Sequence, residues 1–312
     1  MASSLRRQRS CNTSVLKSGL QFPCAPFARL PADVKAQSVQ GPALLAQGGQ
    51  ICDPPGDVGT VELAMLTEQA LDQAAEELWR EGVCTLRQAV DPGVLADCLA
   101  QLQAHHPRLF KPDATADKLF VSTGRFYTAV EIGDALARRD VLLPAAVEGV
   151  LTAALGPDFV FDSWGVINAL PGAEEQHWHR DGGILFPGHP LENMLPATAV
   201  TLAIPLVEMN DETGTTGFAR RTHRAGDHPE VPDYEPRVPV GDALLWDYRV
   251  FHKGMTNRSA IARPLIYATL CRDWWSDTQN HEGQARLLFR RTAWETLDPA
   301  LQPRFARAQL ID

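Results

Sequence analysis

The chain has 312 residues, 45% of them hydrophobic and 21% charged, with a formal net charge of -9 at pH 7. That is an ordinary globular composition, long enough to bury a substantial core. No run of about 18 apolar residues exists, so no membrane span is expected, and the acidic balance argues against general affinity for nucleic acid or anionic membrane. The six cysteines (11, 24, 52, 84, 98 and 271) form no CxxC pair, which points to reduced structural thiols in an intracellular protein.

The first 32 residues carry Arg6, Arg7, Arg9, Lys17 and Arg29, no acidic residue and many serines. This is the composition of an organellar transit segment or of a disordered basic tail, so the expected location is cytoplasmic or, with a transit segment, mitochondrial or plastid. Residues 33 to about 60 read as a linker broken by Gly48-Gly49 and Pro54-Pro55-Gly56. Residues 1–60 are therefore expected to be an extension and linker, and 61–312 a single domain.

Within that domain, Leu71, Ala75 and Leu78 at helical spacing predict a helix over 66–80 that Gly82 ends. "VCTLRQAV" (83–90) predicts a strand. Asp91-Pro92 supplies an N-cap and a first-turn proline for a helix with Val94, Leu95, Cys98, Leu99 and Leu102 on one face. Residues 118–132 read as extended, and 134–155 as helical with a break at Pro144. From Phe159 the pattern changes to strand-like segments at 159–170, 198–209, 242–252 and 263–275, separated by Gly- and Pro-containing turns. A last helix is expected over about 282–294. The expected fold is mainly β with flanking α-helices, around a double-stranded β-helix (jelly-roll, cupin-like) core at about 159–275.

One stretch carries chemistry. "HWHRDGG" (177–183) places His177, His179 and Asp181 at alternate positions, so on a strand all three share a face. A histidine and a carboxylate two residues apart, with a distant second histidine, is the pattern of a 2-His-1-carboxylate triad. Such a triad binds one face of an octahedral Fe(II) and leaves the other positions open. Alone, His-x-Asp is a weak motif. It gains weight from His252, which follows the apolar run "GDALLWDYRVF", and from Arg263, eleven residues further on at the start of another strand. A buried arginine facing a metal needs an anion, and its planar fork matches a carboxylate. His177 and His179 compete for the same ligand role.

With these segments in hand, the chain resembles the phytanoyl-CoA dioxygenase family of Fe(II)/2-oxoglutarate-dependent oxygenases. The resemblance lies in "QHWHRDG" (176–182), "GTTGFARRTHR" (214–224), "GDALLWDYRVFHKG" (241–254) and "NRSAIARPLIYATLCRDWW" (257–275), in that order. It implies His179, Asp181 and His252 as iron ligands and Arg263 as the partner of the 2-oxoglutarate distal carboxylate. Gln176 and Asn168 match polar positions near cosubstrate or substrate. It also implies consumption of O2 and release of succinate and CO2 as a C–H bond is oxidised. Halogenases of this class lack the carboxylate ligand, so Asp181 favours hydroxylation or a related oxidation. Relatives usually read "PGSH" where this chain has Arg220-Arg221-Thr222-His223, a change that adds two cations either beside the entrance or on the solvated surface.

Candidate substrate-pocket residues are Arg125, Tyr127, Trp246, Tyr248, Trp274 and Trp275, for a small-molecule substrate of unspecified class. Trp178 and Arg180 are expected to point away from the metal on a regular strand. Two other readings of the site are a Zn2+ or Mn2+ isomerase or hydrolase on the same fold, and a catalytically silent binding protein. Neither needs Arg263. No basic ridge with interleaved aromatics suggests nucleic acid, and no feature specifies an oligomeric state.

Overall fold

In the computed structural model the described residues are 60–61, 68–112, 119–224, 228–281 and 284–312. The basic extension and linker, with Cys11, Cys24 and Cys52, lie outside them. Helix α1 (Glu68–Glu81) follows a short strand β1 (Thr60–Val61) and leads into β2 (Val83–Leu86). Gly82 makes the turn between them at φ +84°, and a Cβ there would meet His223 Nδ1 at 2.6 Å. Both facts require glycine.

Asp91 caps α2 (Pro92–His105), its carboxylate accepting from the backbone N–H groups of Gly93 and Val94. Such a cap contributes about 1 kcal/mol. The 118–132 segment resolves into a hairpin, β3 (Leu119–Ser122) and β4 (Arg125–Thr128), turned at Gly124. The long helical stretch divides as expected at Pro144, into α3 (Arg139–Leu142) and α4 (Ala145–Leu155).

The remaining strands are β5 (Val160–Ala169), β6 (Ala199–Pro205), β7 (Thr216–Ala219), β8 (Ala243–Asp247), β9 (Phe251–Gly254) and β10 (Arg263–Cys271). They are followed by β11 (Leu288–Arg290), α5 (Arg291–Thr296) and β12 (Gln309–Ile311). The expected helix over 282–294 is thus corrected. Leu288–Arg290 pairs in parallel with Gln309–Ile311, and helix begins only at Arg291.

Among the described residues, eight strands form the major sheet in the order β1-β2-β8-β6-β10-β5-β4-β3, antiparallel except at β1-β2. Strand periodicity sorts its residues onto two faces. Val200, Leu202, Ile204, Leu245, Ile266, Ala268 and Leu270 join the core built with α1, α2 and α4. Burying each large aliphatic side chain there stabilises the fold by about 1.5–3 kcal/mol. The other face of β10 presents Arg263, Leu265, Tyr267 and Thr269 to a cavity.

Opposite that face lies a smaller layer of β7 and β9, extended by irregular chain. Gln176 and His179 bond to the backbone of Gly254 and His252 along β9. The run 242–252 is therefore two strands in two layers rather than one. Asp247 ends β8, the chain turns through Tyr248–Val250, and His252 arrives on the facing layer. This is the jelly-roll arrangement, with helices on the outer face of the major sheet and the cavity inside.

Candidate metal centre

His179 and His252 form a backbone bridge, each donating its N–H to the other's carbonyl at 3.1 and 2.9 Å. Residues paired in this way hold their side chains side by side, and the two ring centroids stand 4.3 Å apart. Asp181 completes the group. One ligand atom from each of the three lies within 4.8 Å of the others. Each histidine's Nδ1 is hydrogen-bonded to a carbonyl two residues back, His177 O and Val250 O, at 3.1 Å. That bond fixes Nδ1 as the protonated nitrogen and leaves Nε2 as the metal donor.

The Asp181 carboxylate is divided between two tasks. Oδ2 accepts from Thr201 Oγ1 at 2.7 Å, Trp246 Nε1 at 2.9 Å and the Tyr267 hydroxyl at 3.0 Å. Oδ1 faces His252 Nε2 at 3.4 Å. With Oδ2 saturated, Oδ1 alone is available, so the group offers a single oxygen. Burial opposes ionisation, but His252, His179 and the Thr201 bond outweigh it and hold the carboxyl below its usual range. His179 is pushed down to about 4 by burial and by His252, so its imidazole is neutral in neutral solution. Burial lowers His252, but the Asp181 carboxylate outweighs it and raises the imidazole. With a metal in place of the Nε2 proton, two imidazole nitrogens and one carboxylate oxygen would form a donor set for a first-row transition ion that keeps positions open for other ligands.

Across a cavity of about 330 Å³ lies Arg263. It is 2% exposed, its Nε donates to the Thr213 carbonyl at 3.3 Å, and its buried Nη1 has no partner among the described residues. Burial and the nearby Arg125 push its guanidinium down to about 9. An unpaired buried cation of this kind is costly unless an anion joins it. Arg125 is also buried; its Nη1 and Nη2 donate to Ser122 Oγ and the carbonyls of Glu174 and Met255, while its Nε donates to nothing among the described residues. Gln176 accepts from the Gly254 N–H at 2.7 Å and lines the same cavity.

The structure brings together most of the residues singled out from the sequence. Arg125, Tyr127, Gln176, His177, Trp246 and Tyr248 all line the cavity with the three candidate ligands and Arg263. Three do not line it among the described residues. Asn168 faces the helix side of β5, where its amide donates to Leu109 O at 2.7 Å, because neighbouring Ile167 takes the cavity face. Trp274 lies past the end of β10 and is 65% exposed. Trp275 instead packs edge-on against Tyr248.

His177 is exposed at the cavity wall, 5.7 Å from the His179 ring, and is not part of the close group. Trp178 points outward as expected, bonding Glu230 O and carrying Lys253 on its ring. Arg180 points outward as well, its guanidinium stacked on the Phe251 ring and donating to Thr222 O, neither of which lines the cavity. Arg220 and Arg221 are tied to Asp233 and Glu81. Arg221 occupies φ +70°.

Thr201, Tyr267, Asn280 and His281 escaped sequence reasoning. Tyr267 was within reach of it, since Arg263, Leu265 and Tyr267 alternate on β10. Thr201 and Asn280 carry no local pattern. Asn280 donates to Asp181 O at 2.6 Å and to Asp277 from a distant loop.

Gly182 is set against the Tyr248 ring, where a Cβ would come within 2.4 Å of Cδ1. Tyr248 cannot yield freely, since its hydroxyl donates to Asp277. Gly182→Ala is therefore expected to cost about 1–3 kcal/mol by overpacking and to displace Asp181. Thermal unfolding and a metal titration should both register it, and an unchanged affinity would show that Asp181 is held independently.

A family model for phytanoyl-CoA dioxygenase matches residues 78–265. Dioxygenase hkm4 of Aspergillus hancockii is 31% identical over 118 residues, which is 35% of this chain and only 36% of that protein. Dioxygenase trt7 of Aspergillus terreus is 24% identical over 243 residues, covering 74% of this chain and 82% of that protein. The solved structure of the epimerase SnoN in complex with Fe3+, alpha ketoglutarate and nogalamycin RO superposes with a TM-score of 0.52 at 18% identity. It covers 68% of this chain and 88% of that one, and shows a shared fold.

Proposed function

The chain belongs to the phytanoyl-CoA dioxygenase family, and on that premise we propose that it is an Fe(II)/2-oxoglutarate-dependent oxygenase that hydroxylates a small organic molecule. The observation that carries this reading is the convergence in one cavity of the His179, Asp181 and His252 donor set with the buried Arg263 guanidinium, whose Nη1 has no partner among the described residues. Iron with its 2-oxo acid and O2 supplies the oxidising chemistry when bound, giving succinate and CO2 as co-products.

The protein's part is to hold and to exclude. His179, Asp181 and His252 would hold the ion, and Arg263 would hold the distal carboxylate of the cosubstrate. Ile167, Trp246, Leu265 and Tyr267 wall the cavity with apolar surface, which keeps water from the reacting C–H bond. Because Asp181 supplies an oxygen, no ligand position is given over to halide, and hydroxylation is favoured over halogenation. An isomerase or hydrolase on this fold would leave Arg263 without a partner.

Anaerobic addition of Fe(II) and 2-oxoglutarate should produce a visible metal-to-ligand charge-transfer band, with succinate forming only after O2 is admitted. Absence of both the band and succinate would overturn the reading.

A further inference from the structure

Asp181 lies outside any regular strand. His252 sits within β9, and His179 shares both of its backbone hydrogen bonds with it. Beyond that bridge, the next backbone pairing of the segment among the described residues is Gly182 N–H to Tyr248 O at 3.1 Å. The Asp181 carbonyl takes no part in this pairing. It accepts instead from the side chain of Asn280, whose Nδ2 lies at 2.6 Å. A backbone group that the sheet does not use still needs a partner, and here the partner comes from a distant loop.

That loop holds the Asn280 amide ready. Asp277 is 4% exposed, and its Oδ1 accepts from the backbone N–H groups of Gln279 at 2.8 Å and Asn280 at 3.0 Å. Such a bond from an aspartate to the chain just after it shapes a turn. Its Oδ2 accepts from the Tyr248 hydroxyl and from Asn280 Nδ2, the latter at 2.6 Å. A side-chain amide has two hydrogens to give. Those of Asn280 go to Asp277, which orients the group, and to the Asp181 carbonyl, which receives the restraint. The turn is in turn fastened to β5. Asp162, 1% exposed, accepts from Asp277 N–H at 3.2 Å, Ser276 Oγ at 2.9 Å and Arg286 Nη1 at 3.0 Å.

Resting on the metal-binding reading above, we propose that Asn280 is a positioning residue for the candidate ligand Asp181. Thr201, Trp246 and Tyr267 hold the carboxylate end of that residue, and Asn280 holds its main-chain end. A side chain restrained at one end only can still swing about that end. Restraint at both ends fixes where Oδ1 stands relative to His179 and His252. Asn280 is exposed at the cavity wall, so shortening it opens no hole in the core, and its loss falls on ligand geometry rather than on folding.

The test is an anaerobic Co(II) titration of the full-length protein, followed by optical absorption. Asn280→Ala should weaken Co(II) binding by about tenfold, as expected for an outer hydrogen-bond partner of a ligand, and should alter the absorption of the bound ion. Asn280→Asp keeps the shape but removes both donors and sets a carboxylate beside Asp277, so it should bind at least as poorly as Asn280→Ala. Asn280→Gln retains the amide and should recover part of the affinity. Thermal unfolding without metal should stay close to wild type in all three. Wild-type affinity in Asn280→Ala or Asn280→Asp would overturn the proposal. So would a loss of affinity matched by a fall in unfolding temperature in both Asn280→Ala and Asn280→Gln, which would make Asn280 a folding residue. Failure of the wild-type protein to bind Co(II) at all would instead remove the metal reading beneath it.

Discussion

Asp181→Ala is expected to abolish 2-oxoglutarate turnover and to weaken Fe(II) or Co(II) binding by more than about a hundredfold. That exceeds the roughly 10–100-fold cost of losing an outer hydrogen-bond partner of a ligand. The reason is the division of labour in the carboxylate. Oδ1 is the oxygen left for the metal, while Oδ2 collects Thr201, Trp246 and Tyr267. Removing the group takes away a ligand and leaves three buried donors unsatisfied. A metal titration followed by optical spectroscopy separates these effects from turnover. Tyr267→Phe is the comparator, because it keeps all three ligands and removes one donor to Oδ2. It should weaken metal binding by about tenfold, and activity should return at saturating metal. Wild-type turnover in Asp181→Ala would refute the ligand assignment outright.

The contrast between Asp181 and Tyr267 marks how far the sequence could be read. The candidate ligands are legible because the chemistry fixes their types and because His179 and Asp181 lie two apart in the chain. Arg263 was legible from its distance to His252. The fold class followed from the change in periodicity at Phe159, and Asp91, Pro144 and Gly82 did what their conformational preferences dictate. What stayed hidden depends on the third dimension. The run from Asp242 to His252 reads as one apolar strand, yet the turn at Tyr248–Val250 carries it between layers. Asn168 was drawn toward the site by resemblance, whereas β5 periodicity turns it to the helices. Asn280 reaches Asp181 across 99 residues of chain, a contact for which local pattern gives no warning.

Arg263→Gln should raise the dissociation constant for 2-oxoglutarate by about 10–150-fold, the equivalent of roughly 1.5–3 kcal/mol for a charge-assisted hydrogen bond. Turnover at saturating cosubstrate should fall far less, because the contact holds ground state and transition state alike. Arg263→Lys should fall between, since an ammonium supplies charge without the planar fork. The same substitution should act on stability with the opposite sign. In the protein without ligands, Arg263 is a buried cation whose Nη1 donates to nothing among the described residues and whose guanidinium is pushed down to about 9 by burial and by Arg125. A group whose charged form is disfavoured in the fold costs stability wherever it is charged, so neutral Gln or Met should unfold at a higher temperature than the wild type. Added 2-oxoglutarate with metal should reverse the order, since it stabilises only the chain that binds it. Thermal unfolding with and without cosubstrate therefore reads both effects in one experiment. A variant that loses stability without ligand and still binds 2-oxoglutarate normally would make Arg263 a packing residue, and the cosubstrate would have to be held elsewhere.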